Sequence, residues 1–141
     1  MRIRIRSYQP QDQEEVVRIW KECGLVVPQN DPVKDIRRKL RRQRELFRVA
    51  IAGGKVVGTI MGGYDGHRGW INYLGVDPSR RGLGTAKKLM GDMEGRLKKL
   101  GCPKINLQVR ISNAGVGGFY EKLGYARDKV FSYGKRLVHE V

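Results

Sequence analysis

A glycine-bearing segment between an apolar strand and a long amphipathic helix is the part of the sequence best suited to chemistry. It spans residues 80–86 and consists of Arg-Arg-Gly-Leu-Gly-Thr-Ala. Gly82 and Gly84 carry no side chain, so a ligand can approach the backbone closely there. The first turn of a helix leaves N–H groups without internal partners, and these groups and the helix dipole favour phosphate. Because Arg80 and Arg81 add positive charge, the segment predicts a phosphate-binding site.

Two common phosphate-binding motifs do not fit this segment. No Gly-Lys-Ser/Thr follows at the spacing of a Walker loop. A dinucleotide fingerprint would need a third glycine, and here the preceding strand follows an antiparallel hairpin. A Gly-x-Gly pair also occurs where the start of a helix needs flexible backbone, and the residues alone leave that alternative open.

The apolar periodicity predicts the elements that would position the segment. Strands are predicted over residues 2–8, 47–51, 55–64, 70–76 and 105–109, with two shorter strands near 125–127 and 130–138. Helices are predicted over about 10–22, 31–44, 83–100 and 113–123. Asp31 is expected to cap the second helix, with Pro32 at its first position.

The connections between these elements predict the topology. Gly53-Gly54 and Asp65-Gly66 are hairpin signals, so the early strands should be antiparallel. The later strands are joined through helices and should be parallel neighbours. The order β-α-α-β-β-β-α-β-α-β-β then gives a single mixed α/β domain over residues 1–141, with helices on both faces of a mixed sheet.

The composition restricts the class of protein. The chain has 141 residues, of which 40% are hydrophobic, enough for one sizeable core. No signal peptide and no run of about 20 apolar residues is apparent, so we expect a cytoplasmic protein and no membrane partner. The two cysteines form no Cys/His cluster, which argues against a metal site.

The net charge predicts an anionic partner. Lys and Arg total 29 against 14 Asp and Glu, which gives +15 at pH 7. A field of that sign attracts coenzyme A, nucleic acids and acidic proteins, and it repels polycationic acceptors.

Two motifs give the sequence a resemblance to a known family. Residues 81–86 match the Gln/Arg-x-x-Gly-x-Gly/Ala signature of the GNAT acetyltransferase superfamily, at the same place between the fourth strand and the next helix. The downstream run from Asn113 to Phe119-Tyr120-Glu121-Lys122-Leu123-Gly124-Tyr125 looks like that family's second motif. The element order is similar over nearly all of the chain, which implies the GNAT fold with a mixed sheet of six to seven strands. Residues 61–69 also resemble the small bacterial YpeA-type group.

The resemblance implies acetyl-CoA as cosubstrate and direct transfer of the acetyl group to a primary amine. Backbone amides of the signature would hold the coenzyme's pyrophosphate; they belong to Arg81, Gly82, Gly84, Thr85 and Ala86. The acceptor, whether a peptide N-terminus, a lysine or a small amine, stays unassigned, as does the choice between monomer and homodimer.

The resemblance also implies roles for residues outside the signature. The pantetheine arm would lie between two diverging strands, with backbone contacts from Leu74 and Val76. Asn113 would contact the arm or the pyrophosphate. Tyr120 is the candidate acid near the sulfur, although its spacing also fits a core position.

The strand over residues 70–76 contains no acidic residue, although members of the family often have a glutamate there that serves as the catalytic base. Asp65 and His67, in the preceding turn, are the nearest candidates for a catalytic base, and histidine is a common general base. Asp65-Gly66 is equally an ordinary turn pair. Glu22 and Asp31 are weaker candidates.

Seven cationic residues crowd the second predicted helix: Lys34, Arg37, Arg38, Lys39, Arg41, Arg42 and Arg44. They could form a solvated face or a docking surface for an acidic peptide or an RNA backbone. A basic edge beside the acceptor site would favour an acidic acceptor. Two alternatives to an enzyme therefore stay open: a module that binds nucleic acid or acidic protein, and an acyl-CoA sensor.

Overall fold

The computed structural model describes residues 2–139, and for Ala114 the backbone alone. The strands are β1 (Arg4–Ser7), β2 (Phe47–Ala52), β3 (Lys55–Tyr64), β4 (Gly69–Val76) and β5 (Ile105–Leu107). The helices are α1 (Gln13–Glu22), α2 (Pro32–Lys39), α3 (Thr85–Lys99) and α4 (Gly117–Lys122). Over the described range, none of the helices has the length and hydrophobicity to cross a bilayer.

The five strands form one mixed sheet in the order β1-β2-β3-β4-β5. β1 to β4 are antiparallel neighbours, and β5 runs parallel to β4. Gly53 and Gly54 form the β2–β3 turn with φ values of 57° and 75°, which glycine adopts without steric cost. The parallel pair needs a crossover connection, which α3 supplies. The predicted mixed sheet is confirmed.

Helices cover both faces of the sheet, as predicted. On one face, α3 buries residues spaced by three or four positions: Leu89, Met90, Met93 and Leu97. On the other face, α1 and α2 contribute Val16, Ile19, Trp20 and Ile36. Side chains alternate between faces along a strand, so Ala50 of β2 packs in the first cluster and Val49 in the second.

A largely buried ion pair holds α3 on the sheet. The Arg48 Nε, on β2, donates to Asp92 Oδ2 of α3 at 3.0 Å, and Arg48 Nη1 donates to Ser7 Oγ at 2.7 Å. The side chains of Arg48 and Asp92 are 8% and 20% exposed. A charge removed from water needs such partners, so the pair fixes the position of α3 and of the loop that precedes it.

The predicted sheet of six to seven strands is wrong in its strand count. Over the described residues no strand follows α4, so the segments near 125–127 and 130–138 do not extend the sheet. Tyr125 packs against the core cluster on the α3 face, whereas Phe131 and Tyr133 are 90% and 92% exposed. A side-chain hydrogen bond connects the chain after α4 to β5: Asp128 accepts from Asn106 at 2.8 Å.

Candidate active site

The sheet opens where β5 ends beside β4. β5 pairs with β4 at three positions, where Gly69–Ile71 lies opposite Ile105–Leu107. From Asn72 to Val76, β4 continues alongside β3, and no described strand pairs with its other edge. A cavity of about 1370 Å³ lies at this opening.

Residues from both faces of the sheet line this cavity. The face of α3 contributes the start of that helix together with Phe119 and Tyr120. The opposite face contributes Cys23 and Leu25, which follow α1, and several residues of α2. Two molecules that enter from opposite faces can therefore meet at the free edge of β4.

A β-bulge shapes β4 at the opening. Tyr73 and Leu74 together oppose the single residue Ile60 of β3. Tyr73 has a φ of 52°, which is uncommon for a residue with a side chain. Its ring stacks on Trp20 on the α1 face with centroids 3.7 Å apart, whereas Leu74 packs against the cluster on the α3 face. Adjacent side chains at the opening therefore lie on opposite faces of the sheet, as they do along a regular strand.

The glycine-bearing segment lies at the start of α3, on the wall of the cavity. Gly82 and Gly84 have φ values of 84° and 77°, a left-handed conformation that favours glycine, and Gly84 caps α3. The first intrahelical hydrogen bond runs from the Lys88 N–H to the Gly84 carbonyl at 3.0 Å. The earlier N–H groups of the helix lie outside that ladder, as at any helix start.

The Thr85 hydroxyl is a buried polar group without a hydrogen-bond partner among the described residues. Thr85 is 2% exposed and lines the cavity, and its Oγ1 makes no hydrogen bond within the described residues. An unsatisfied buried hydroxyl costs about 1–3 kcal/mol, which a ligand or water in the cavity would recover. With the helix amides and Arg81, it forms a donor set that fits a diphosphate.

The turn before this segment is anchored to α1. Asp77 Oδ1 accepts from the Ser79 N–H at 3.0 Å, and Asp77 Oδ2 accepts from Arg18 Nη2 at 3.3 Å. On the same side, Arg81 Nη2 lies 3.5 Å from the Cys23 sulfur. These contacts hold both arms of the loop against α1 and the residue that ends it.

Tyr120 of α4 is a half-buried wall residue of the cavity. Its ring makes edge contacts with Phe119 and Tyr125, and burial raises the pKa of its phenol, which stays protonated at neutral pH. Asn113 lines the same cavity and is exposed. Tyr120 is therefore both part of the packing and accessible to a ligand.

A carboxylate lies on the opposite wall. Asp35 of α2 lines the cavity; its Oδ2 accepts from the Tyr73 hydroxyl at 2.5 Å and its Oδ1 from Arg38 at 2.6 Å. An ionised carboxylate can accept about four hydrogen bonds, so this pair of contacts leaves Asp35 able to bind a further donor. The Tyr73 side chain thus connects the bulge of β4 to α2.

Comparison with known proteins places the chain in a family. The model of the acetyltransferase (GNAT) family matches residues 12–125. The chain belongs to the GNAT acetyltransferase family. An acetyltransferase of Yersinia pestis (strain Pestoides F) is 50% identical to this GNAT protein over 134 residues, which cover 95% of each chain. The cosubstrate of GNAT acetyltransferases is acetyl-CoA.

Solved structures share the GNAT fold of this chain. Ard1 from Thermoplasma volcanium superposes with a TM-score of 0.78 and 28% identity, covering 89% of this chain and 84% of that one. The NatC complex bound to Gag peptide and CoA superposes with a TM-score of 0.76 and 26% identity, covering 92% of this chain and 87% of that one.

The structure brings most of the predicted site residues of this GNAT protein to one cavity. Its lining includes Leu74, Val76, Arg81, Gly82, Gly84, Thr85, Ala86, Asn113 and Tyr120. Asp65 and His67 lie elsewhere, in the exposed turn between β3 and β4. There Asp65 Oδ1 accepts from the backbone N–H groups of Arg68 at 2.7 Å and His67 at 2.8 Å. These bonds keep the pKa of Asp65 below its usual range.

The position of this turn gives a testable expectation. We expect Asp65→Asn to leave the pH dependence of kcat/KM unchanged, because the carboxylate already serves the turn and lies outside the cavity lining. The measurement is a pH–rate profile of both proteins from pH 6 to 10. Loss of the acidic limb of that profile in the variant would assign the base role to Asp65 after all.

Sequence reasoning missed Asp35. Val33, Ile36 and Leu40 form the apolar stripe of the second helix. Asp35 lies beside that stripe, as an acidic residue in an otherwise basic segment, and this pattern could have identified it. The contact with Tyr73 spans 38 residues of sequence and has no local signature.

Proposed function

We propose that this GNAT protein is an acetyl-CoA-dependent N-acetyltransferase that transfers the acetyl group directly to a primary amine. The observation that carries the proposal is the cavity through the sheet, with a glycine-capped helix start on one wall and the carboxylate of Asp35 on the other. The NatC structure, 26% identical to this chain, was solved with a peptide and CoA, which supports the same two kinds of ligand here.

The diphosphate of the coenzyme is assigned to the start of α3. Amide N–H groups would hold it, namely those of Arg81, Gly82, Gly84, Thr85 and Ala86. The unpaired Thr85 hydroxyl adds one further donor, and the α3 dipole favours the negative charge. Arg80 and Arg81, which also line the cavity, supply charge.

The pantetheine arm is assigned to the opening beside β4. Leu74 and Val76 line the cavity along the edge of β4 that no described strand covers, and we assign to their backbone groups the hydrogen bonds to an extended ligand. An N–H at the bulge near Leu74 would polarise a carbonyl there. Asn113, on the far side of the opening, would contact the arm or the diphosphate.

The amine is the more demanding reactant. At pH 7 a lysine-like ammonium of pKa ~10.4 needs about 4.6 kcal/mol to become neutral, and an α-ammonium of pKa about 8 needs about 1.4 kcal/mol. The thioester of acetyl-CoA supplies a leaving thiolate whose pKa, by analogy with cysteine, is about 8.5. A carboxylate is a weak base toward ammonium, so Asp35 would position the amine while water carries its proton away. We favour Asp35 over Asp65 and His67 because Asp35 lines the cavity. Glu22 also lines it, but Asp35 in addition bonds Tyr73 of the β4 bulge.

The assignment of Tyr120 as an acid predicts a modest effect. A thiolate leaves readily without full protonation, so Tyr120→Phe should lower kcat about tenfold, less than the ~10²–10⁴ typical of general acid catalysis. KM for acetyl-CoA should stay within about twofold. Steady-state kinetics with one amine acceptor measures both values. A kcat equal to that of the unaltered protein would remove Tyr120 from the chemistry.

A titration and a turnover screen test the proposed function. Isothermal titration with acetyl-CoA should show binding at one site per chain. A thiol-release assay with small amines, N-terminal peptides and lysine peptides should then show acceptor-dependent CoA formation, with the acetyl group on nitrogen by mass spectrometry. Binding without turnover of any amine would leave an acyl-CoA sensor, and the absence of binding at millimolar ligand would contradict the proposal.

A further inference from the structure

One stripe of α2 faces the cavity and is entirely charged. The stripe consists of Asp35, Arg38 and Lys39, and it continues to Arg42 just beyond the helix end, with all four lining the cavity. The spacing of three, four and seven residues places them on one side of the helix. Arg37 and Arg41 are exposed and do not line the cavity. This stripe thus adds one acid and three bases to the cavity wall, although apolar side chains usually predominate in a pocket for a neutral ligand.

Two cations of this stripe differ in how they are held at the cavity. The Lys39 ammonium is half-buried and donates to the Gly62 carbonyl of β3. Burial lowers the pKa of Lys39, although nearby Glu45 opposes this. Arg42 is exposed at the mouth, and among residues 2–139 its side chain makes no hydrogen bond or ion pair. An anion at this point would therefore meet at least one guanidinium that needs no existing contact to be broken.

The single acid of the stripe lies next to the bulge of β4. Asp35 bonds Tyr73, a residue of that bulge, at 2.5 Å, whereas Lys39 and Arg42 follow one and two helical turns later. A helix rises 1.5 Å per residue, so these cations lie about 6–10 Å from Asp35 along the axis. Along α2, from the contact with Tyr73 of β4 toward the contact of Lys39 with Gly62 of β3, the charge is first negative and then positive.

We infer that the acceptor is a primary amine that carries an anionic group about 6–10 Å from its nitrogen. The inference rests on the proposed function, because it names the acceptor class of the same site. Asp35 binds the ammonium group beside β4, and Lys39 and Arg42 bind a carboxylate or phosphate farther along α2. A polyamine fits poorly, since its second cation would meet the basic part of the stripe.

Two pairs of acceptors that differ in charge alone test the class. The first pair is 5-aminopentanoate and its amide; the second is the tripeptide alanyl-aspartyl-glutamate amide and its alanyl-asparaginyl-glutamine counterpart. We expect kcat/KM for the acid to exceed that for the amide by about tenfold or more in at least one pair. A preference in the first pair indicates a small-molecule acceptor, and a preference in the second pair indicates a peptide. The preference should also shrink as salt rises from 0.05 to 0.5 M.

Matched charge reversals test the residues. Arg42→Glu and Arg37→Glu change the net charge equally, but only the first alters the cavity wall. Arg42→Glu should raise KM for the preferred acid about tenfold or more, and Arg37→Glu should change it less than about threefold. Both variants should bind acetyl-CoA as tightly as the unaltered protein, which isothermal titration checks.

The outcomes separate this inference from the proposed function. Equal rates for acid and amide in both pairs, no turnover of any of the four probes, or equal effects of the two reversals would overturn the inference. If acetyl-CoA still binds and other amines are acetylated, the proposed function survives that result. If the protein binds no acetyl-CoA, the proposed function itself is contradicted.

Discussion

We expect the Gly84→Glu variant to show no detectable acetyl-CoA binding at millimolar ligand, a loss of at least about a hundredfold. Gly84 caps α3 with a φ of 77°, which is unfavourable for any residue with a side chain. A glutamate there also puts a negative charge at the helix start where the diphosphate is proposed to lie. Isothermal titration measures the loss directly.

Gly101→Glu is the matched control for that variant. Gly101 follows α3 at its other end, has a φ of 85° and is exposed, so the substitution brings similar strain and the same charge. Each substitution should cost about 1–2 kcal/mol of stability through the left-handed backbone. Acetyl-CoA binding should persist in Gly101→Glu. Equal loss in both variants would mean that strain, and not the site, abolishes binding.

The second large effect concerns stability. Asp92→Ala should lower the free energy of unfolding by about 3 kcal/mol, because it leaves the buried guanidinium of Arg48 without its carboxylate. The value is at the low end for a buried pair, since Asp92 is 20% exposed and Ser7 still accepts from Arg48. Urea denaturation should show a lower midpoint with an unchanged slope.

Asp128→Ala provides the comparison for Asp92→Ala. Asp128 pairs with Lys104 at 3.2 Å, with side chains that are 37% and 49% exposed. An exposed pair contributes about 0–1 kcal/mol, so the midpoint should barely move. If both substitutions destabilise the protein equally, the Arg48–Asp92 pair does not fix α3 on the sheet.

The elements that the sequence predicted correctly are governed by local patterns. The Gly53-Gly54 turn, the alternation of β2 and β3 and the apolar spacing of α3 each depend on neighbours in the chain. The signature from Arg81 to Ala86 is also local, since a helix start and two glycines suffice to expose the amides. These features place the glycine-bearing segment at the start of α3, on the wall of the cavity.

The parts that sequence could not supply depend on contacts between distant residues. The β4 bulge follows from register with β3, and Tyr73 meets Asp35 through tertiary packing alone. The alternation near residues 130–138 predicted a strand, but no described strand pairs with it, and Phe131 stays exposed. Asp65 is close in sequence to the strand over residues 70–76, where other family members have a glutamate. It nevertheless lies in the β3–β4 turn, outside the cavity lining.

A crystal structure with bound CoA tests the central claim most directly. We expect phosphate oxygens of the diphosphate to lie within 3.2 Å of the main-chain N–H groups at the start of α3 and of the Thr85 hydroxyl. We also expect the pantetheine arm to lie along the edge of β4 from Asn72 to Val76. A diphosphate bound on another surface, with the start of α3 in contact with water alone, would contradict the account.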